Sequence, residues 1–211
     1  MLRPPRAIAL TAALAGVLAV SACGQSSQPA GGGAGGVTSP SASTQPGSTM
    51  ASTHNDADVA FATDMVPHHA QAVEMAELAL TQATSAEVKK LATEIKAAQD
   101  PEIQAMSGWL KSWGKPVPST MAGHGMGSMG SSESGMMSSQ EMDDLGKASG
   151  TGFDTMWLEM MIRHHRGAVA MAQTELGSGS SAEAKRLAQD IVDAQNKEIA
   201  EMTALLGTLK K

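Results

Sequence analysis

Apolar residues recur every three or four positions along two stretches of the chain, and this spacing predicts amphipathic helices. The stretches run from about Asp56 to Thr81 and from about Gly152 to Leu176. A second helical pattern follows each of them. We expect it to begin with a capping box, formed by the sequences TSAE (Thr84 to Glu87) and SSAE (Ser180 to Glu183). No alternating pattern typical of strands competes with these four helices.

The two pairs of helices are copies of one another. Residues 58–113 align with residues 154–209 without a gap, and 22 of the 56 pairs are identical. Neither helical hairpin can bury its apolar stripe alone, so the repeat predicts that the two pack together. We therefore predict an all-α, ferritin-like four-helix bundle built from the hairpins 56–113 and 151–211. The connection, residues 114–150, is rich in Gly, Ser and Met, and its length permits a crossover along the bundle.

The first 55 residues have a different composition. Two arginines precede an apolar run that is too short to span a bilayer, and the sequence VSAC follows. This arrangement predicts a lipoprotein signal peptide, residues 1–23, with Cys23 lipidated after cleavage; secretion without lipidation is the alternative. Residues 24–55 are mostly Gly, Ser, Pro and Thr and predict a disordered tether, which leaves one folded domain, 56–211. We expect an extracytoplasmic, lipid-anchored or secreted protein.

Charge and composition exclude several classes of function. Loss of Arg3 and Arg6 with the signal peptide changes the formal net charge from −6 to −8, and only 2% of the residues are aromatic. An acidic chain without a basic patch is a poor partner for nucleic acid, and membrane contact is expected only through the lipid anchor. The sequence has no nucleophile motif, phosphate-binding loop or His-Glu-x-x-His motif, so it does not predict an enzyme.

Each first helix carries adjacent histidines bracketed by methionines, in MVPHHAQAVEMA (65–76) and MIRHHRGAVAMA (161–172). Neighbouring helical residues point about 100° apart, so one histidine of each pair can face the bundle interior and the other a seam between helices. Folding the first hairpin about residue 83 or 84 places Gln99 level with His68, and Glu102 level with Met65. Each hairpin then holds a buried group of two His, one Gln and one Glu.

This group has two interpretations. It is a hydrogen-bond network that fixes helix register, or it is a metal site, since imidazole and thioether bind copper and a nearby Glu or Gln can orient a histidine ligand. The candidate ligands in the bundle are His68, His69, His164, His165, Met65, Met75, Met161 and Met171. The residues expected to orient them are Gln99, Glu102, Gln195 and Glu198.

The connection contains a second candidate site. Residues 121–142 hold six methionines and one histidine among Gly and Ser. Methionine in such a loop has no core to fill, and thioethers bind Cu(I) without competition from protons, so we expect a copper role. Incidental methionines or sacrificial oxidation targets are the alternative. The candidate ligands here are His124, Met121, Met126 and Met129.

The histidine motifs also carry a family resemblance. The pattern F…M-hydrophobic-P-H-H-x-x-A-hydrophobic-x-M-A, in residues 61–76 and without the proline in 157–172, resembles the family catalogued as domain of unknown function 305. The resemblance implies a secreted or membrane-anchored, ferritin-like helical bundle, and it implies copper binding, which some members are regarded as having. Matched residue by residue, it implies ligand roles for the histidines and methionines of both motifs.

Three functions follow from these observations. The first is a cell-envelope lipoprotein that binds copper, as Cu(I), for buffering, resistance or delivery to an unknown metal-accepting protein. The second is a non-metal structural or interaction bundle with buried His–Gln–Glu networks. The third is a ferritin-like di-iron oxidase, which is disfavoured because the sequence lacks Glu-x-x-His and because Asp64 is matched by Met160 in the repeat.

Overall fold

The computed structural model describes residues 53–119 and 134–210, and all its regular elements in these ranges are helices. The long helices are α1 (Asp56–Gln82), α2 (Ala86–Ser112), α4 (Gly150–Ser178) and α5 (Ala182–Leu209), and the short helix is α3 (Ser139–Lys147). The predicted all-α bundle of two hairpins is confirmed. Helix α3 lies in the connection, where the sequence analysis predicted no helix; Ser138 and Glu141 form a capping box at its start.

The two hairpins pack with α1 antiparallel to α4. Asp58, near the start of α1, accepts hydrogen bonds from the backbone N–H groups of Ser180 and Ser181, just beyond the end of α4. His54 stacks on Trp113 with ring centroids 4.5 Å apart, so α2 ends beside the start of α1. The end of α2 and the start of α4 therefore lie at opposite ends of the bundle. The connection therefore joins opposite ends of the bundle, as a crossover does; the ferritin-like assignment itself stays a prediction.

The predicted capping boxes of the second helices are wrong by one position. The N-cap residues are Ser85 and Ser181, whose Oγ atoms accept from the N–H groups of Val88 and Ala184, each at 3.2 Å. Thr84 lies outside the helix because its backbone N–H and its hydroxyl both donate to Asp154 on α4. An acceptor from the other hairpin, which local sequence cannot reveal, therefore shifts the helix start.

Asp154 allows a test of this cross-capping. The Asp154→Ala substitution leaves the Thr84 N–H, the Thr84 hydroxyl and the Ser85 N–H without their acceptor. The loss of three hydrogen bonds to the buried Asp154 carboxylate costs free energy, so we expect the free energy of unfolding to fall by roughly 2–4 kcal/mol. Urea denaturation measures this loss. Asp193→Ala, at an exposed residue that accepts a hydrogen bond from Gln189, is the control, and an equal loss in both variants would refute cross-capping.

The core consists of two apolar clusters with a polar layer between them. One cluster surrounds Phe153 and Trp157, and the other surrounds Phe61 and Ile191. Trp157 also ties α4 to α1, because its Nε1–H donates to the Met75 carbonyl at 2.9 Å. The layer between the clusters contains buried polar side chains of α1, α2, α4 and α5: His68, His69, Gln71, Gln99, His164, His165 and Gln195.

Two methionines of the connection fill this core. Met137 is buried, and Met142 packs against the cluster around Trp157. The expectation that methionines between 121 and 142 have no core to fill is therefore wrong for these two. The capped helix α3 brings them back to the bundle, and capping by Ser138 was not recognised in the sequence.

No helix in the described residues is long and apolar enough to cross a membrane. The predicted signal peptide, Cys23 and most of the tether lie outside these residues. Within the end of the predicted tether, Asn55 caps α1 and its side chain donates to the carbonyl of Ser178.

Candidate metal centre

The two halves of the repeat meet at one histidine from each. His68 on α1 and His164 on α4 occupy equivalent positions, and their ring centroids lie 3.7 Å apart with an interplanar angle of 36°. Both side chains are buried at the middle of the bundle, each 1% exposed. Antiparallel packing of α1 against α4 brings these positions together, so two imidazoles from distant parts of the chain are in contact.

The second histidine of each pair faces its own hairpin partner. The Nε2 atom of His69 lies 2.7 Å from Glu102 Oε2, and that of His165 lies 2.7 Å from Glu198 Oε2. The two histidines of a pair thus point in different directions, as helical geometry predicts. Folding the sequence about residue 83 or 84 predicted that Glu102 on α2 lies opposite Met65 on α1. The glutamate instead bonds to His69, one turn further along α1, because its side chain is long enough to reach across that distance.

Among the residues that the structure describes, several ring nitrogens in this layer find no hydrogen-bond partner. His68 Nε2 lies 3.0 Å from the Ser134 carbonyl, which can only accept, so this nitrogen carries the proton. The same argument gives His69 and His165 a protonated Nε2 against a carboxylate. The unpartnered nitrogens are Nδ1 of His68, His69 and His165 and both ring nitrogens of His164. The neutral His68 ring therefore presents a buried Nδ1 lone pair, a cost that a metal ion would remove.

Burial keeps the central rings neutral. Desolvation lowers the pKa of His68 to about 3, and the nearby His69 acts in the same direction. Desolvation and then the neighbouring His68, His165 and His69 rings lower the pKa of His164 well below its ordinary value; the His68 carbonyl opposes this only weakly. Neutral imidazole is the form that binds metals, so both rings are in that form across the physiological pH range.

The candidate methionines divide into two groups. Met65, Met75 and Met161 are fully buried in the bundle. Met171 is half-buried and lines a cavity of about 150 Å³ between α1 and α4, together with Asp64 and Glu175. Met65 and Met161 precede His68 and His164 by three residues, which places each thioether on the same helix face as its imidazole.

Gln99 and Gln195 are buried in the same layer, and the Oε1 atom of each has no hydrogen-bond partner. In residues 53–119 and 134–210, no three side chains of His, Cys, Asp or Glu are arranged to hold a metal ion together. The other candidate ligands, His124, Met121, Met126 and Met129, lie outside the described residues.

The sequence analysis missed a carboxyl pair near the start of α1. Glu175 replaces Ala79 of the first copy, is 1% exposed, and contacts Asp58. Burial raises the pKa of Glu175 to about 8, and its hydrogen bond with Asp58 and the charge of Asp58 add to this, while Lys185 opposes it. At neutral pH Glu175 is therefore mostly protonated.

This pair predicts a pH-dependent effect on stability. Because the folded pKa of Glu175 lies above its ordinary value, its contribution is complete below about pH 4.5 and is lost as the pH rises through 8. Glutamine is uncharged at every pH, and its amide can also donate a hydrogen bond. We expect the free energy of unfolding of Glu175→Gln to equal that of wild type near pH 4.5 and to exceed it by roughly 1–3 kcal/mol near pH 9. Urea denaturation across this range measures the difference. Glu94→Gln, at an exposed glutamate, is the control; a difference that does not vary with pH would contradict the assignment.

Comparison with known proteins places these features in a family. The sequence model of the family described as Domain of unknown function (DUF305) matches residues 58–206, which include both histidine pairs. No curated protein matches the chain.

Solved structures with a similar fold are also similar to this chain in sequence. A DUF305 protein from Streptomyces coelicolor, described as secreted, is 36% identical, with 73% of this chain and 92% of that chain covered and a TM-score of 0.65. CopM in its Cu(II)-bound form is 35% identical over 72% of this chain and 96% of its own, with a TM-score of 0.61. CopM in its Cu(I)-bound form is 33% identical over the same shares, with a TM-score of 0.59. The resemblance found in the sequence is thereby confirmed.

Proposed function

Because the chain belongs to the DUF305 family, we propose that it binds copper as Cu(I) between its two helical hairpins. The observation that carries this proposal is the buried contact between His68 and His164, where ring nitrogens have no hydrogen-bond partner. Two neutral imidazoles, with the thioethers of Met65 and Met161 one helical turn away on the same helix faces, would supply a nitrogen and sulfur donor set. Such a set favours Cu(I) over hard ions such as Mg²⁺ or Ca²⁺.

The surrounding hydrogen bonds support this use of the rings. Histidine ligands usually donate their other N–H to a carboxylate or a backbone carbonyl, which fixes the tautomer. Glu102 and Glu198 act in this way on His69 and His165, and the Ser134 carbonyl does so on His68. CopM, a protein of similar sequence and fold, has been solved with Cu(II), Cu(I) and silver bound, which is consistent with a soft-metal site here.

The protein's role in the cell follows from this site and the N-terminal region. We infer that Cys23 is lipidated and holds the domain on the extracytoplasmic side of the membrane, where the protein buffers copper, contributes to resistance or passes the ion to an acceptor protein. His124, Met121, Met126 and Met129 of the connection supply a second set of soft donors near the bundle in sequence. A metal-binding role of this kind requires no catalysis.

The second candidate function is a structural bundle without metal. The paired His69–Glu102 and His165–Glu198 contacts favour it, because hydrogen bonds of this kind fix helix register on their own. His68 and His164 distinguish the two functions, since a purely structural layer gains nothing from unpartnered ring nitrogens.

Equilibrium titration of the mature chain with Cu(I), against a competing chelator, tests the proposal. The test uses a loop-substituted chain, in which Met121, Met126 and Met129 are replaced by Leu and His124 by Ala, beside the unchanged chain. We expect the loop-substituted chain to bind Cu(I) with a dissociation constant well below about 1 µM, and to retain binding at mildly acidic pH because the central imidazoles stay neutral. Binding no tighter than micromolar would favour the structural bundle.

A further inference from the structure

The environment of His68 differs from that of His164, although the two residues are equivalent in the repeat. The segment Ser134–Met137, here called the strap, lies beside α1 and α4 at this level. The Ser134 carbonyl accepts the Nε2–H of His68 at 3.0 Å. In the part of the chain that the structure describes, His164 has no hydrogen bond of good geometry to either ring nitrogen. The strap therefore fixes the tautomer of one central histidine and leaves the other unfixed.

Gln71 holds the strap to α1 with two hydrogen bonds. Its Nε2–H donates to the Met137 carbonyl at 2.8 Å, and its Oε1 accepts the Met137 N–H at 2.7 Å. The side chain is 4% exposed, and both ends of its amide group are used. Gln71 lies one helical turn after His68 and does not bond to the ring itself, so its effect on the ring passes through the strap backbone.

Gly167 makes room for the strap on α4. It is the repeat equivalent of Gln71, and it lies inside a helix, where glycine costs about 0.5–1 kcal/mol relative to alanine. A Cβ atom at Gly167 would overlap the carbonyl of Ser134. On the strap, Gly135 has φ of 76°, and a Cβ there would lie 2.5 Å from the Arg163 carbonyl. The strap backbone thus packs directly against α4 only because both positions are glycine.

Arg163 supplies a further anchor. It donates to the Met137 sulfur at 2.7 Å and forms an ion pair with Glu141 at the start of α3. Arg163 stands where the first copy has Pro67, so it is also specific to the second copy. The strap is held from both hairpins, by Gln71 on α1 and by Gly167 and Arg163 on α4.

We propose that Gln71 and Gly167 are positioning residues that make His68 an Nδ1 metal ligand by holding the Ser134 carbonyl against its Nε2–H. This inference rests on the proposed copper function. With Nε2–H engaged, the lone pair of the neutral ring is on Nδ1, which has no other partner. Groups that orient a histidine ligand in this way typically change metal affinity by about 10–100-fold when they are removed. The two central histidines then differ before the metal binds. His68 already has the tautomer that binds through Nδ1, whereas His164 adopts its tautomer only when the metal binds.

Nitrogen-15 NMR of the metal-free mature chain tests the positioning directly. Two-bond correlations between ring protons and nitrogens report which nitrogen of His68 carries the proton. We expect a single Nε2–H tautomer for His68 in the wild type and a mixture of tautomers in Gln71→Ala and in Gly167→Ala, which disturb the strap from opposite sides. Gln140→Ala, at an exposed glutamine whose side chain donates to Asp144, is the control and should give the wild-type spectrum. An Nδ1–H tautomer in the wild type, or an unchanged tautomer in both strap variants, would overturn the proposal.

Cu(I) titration of the same variants separates this inference from the proposed function. We expect both strap variants to bind Cu(I) about 10–100-fold more weakly than wild type, and Gln140→Ala to bind as wild type does. Far-UV circular dichroism confirms that each variant is folded before titration. Absence of tight binding by the wild type contradicts the proposed function. Tight wild-type binding with unchanged affinity in both folded strap variants overturns the positioning role alone.

Discussion

Replacing both His68 and His164 by alanine is expected to lower the Cu(I) affinity of the loop-substituted chain by more than about 100-fold. The proposed site uses these two rings as its nitrogen donors, and their neutral state makes them available without loss of a proton. Thioethers of Met65 and Met161 remain, but they cannot replace the imidazoles. Competition titration with a Cu(I) chelator measures the loss.

His54→Ala is the matched control for this double variant. His54 stacks on Trp113 beside the start of α1, away from the layer that holds His68 and His164. We expect it to leave the affinity unchanged. If the double variant is folded and retains the affinity of its parent, copper is not held between the hairpins.

His164→Leu is expected to stabilise the metal-free protein while it weakens copper binding. Leucine has a volume similar to that of histidine, and it removes two buried ring nitrogens that have no hydrogen-bond partner. Unpartnered buried polar groups cost about 1–3 kcal/mol, so we expect the free energy of unfolding to rise by roughly that amount. Urea denaturation of the metal-free chain and Cu(I) titration of the same sample give the two values.

The stability and the Cu(I) affinity of His164→Leu, measured together, distinguish a binding site from a structural layer. A histidine that stabilises the bundle by its own hydrogen bonds should lower the stability when it is replaced, as His165→Leu is expected to do by leaving Glu198 without its partner. A loss of stability in His164→Leu equal to that in His165→Leu would show that His164 has a structural role.

The sequence predicted the helices and their pairing because both depend on strong, local or repeated signals. The apolar periodicity predicted α1 and α4, and the sequence similarity between residues 58–113 and 154–209 predicted two equivalent hairpins. The opposite directions of His68 and His69 follow from the helical repeat alone. These features need no knowledge of which helix faces which.

Contacts between the hairpins and with the connection were not predictable in the same way. Asp154 moves the start of α2 by one residue, and only the antiparallel packing of α1 and α4 brings the two together. The identity of Asp58 with Asp154 in the repeat was visible and could have marked both as cross-capping residues. Gly167 inside a helix, opposite Gln71 in the repeat, was a similar signal for a close backbone approach.

The site itself was predicted in its residues but not in its asymmetry. His68, His164, Met65 and Met161 are all buried, whereas Met171 lines a separate cavity with Glu175. The strap breaks the symmetry of the repeat at His68, and no local pattern in residues 134–137 indicates where that segment docks. Its position depends on long-range hydrogen bonds from Gln71, which form only in the folded bundle.

X-ray absorption at the copper edge, on the loop-substituted chain loaded with one equivalent of Cu(I), tests the central claim most directly. Buried imidazoles and thioethers at the meeting point of the two hairpins predict a mixed first shell of nitrogen and sulfur, with the outer-shell scattering characteristic of imidazole rings. That imidazole signal should disappear in the variant with His68→Ala and His164→Ala. A shell of sulfur alone, or an imidazole signal that persists in the double variant, would contradict the account.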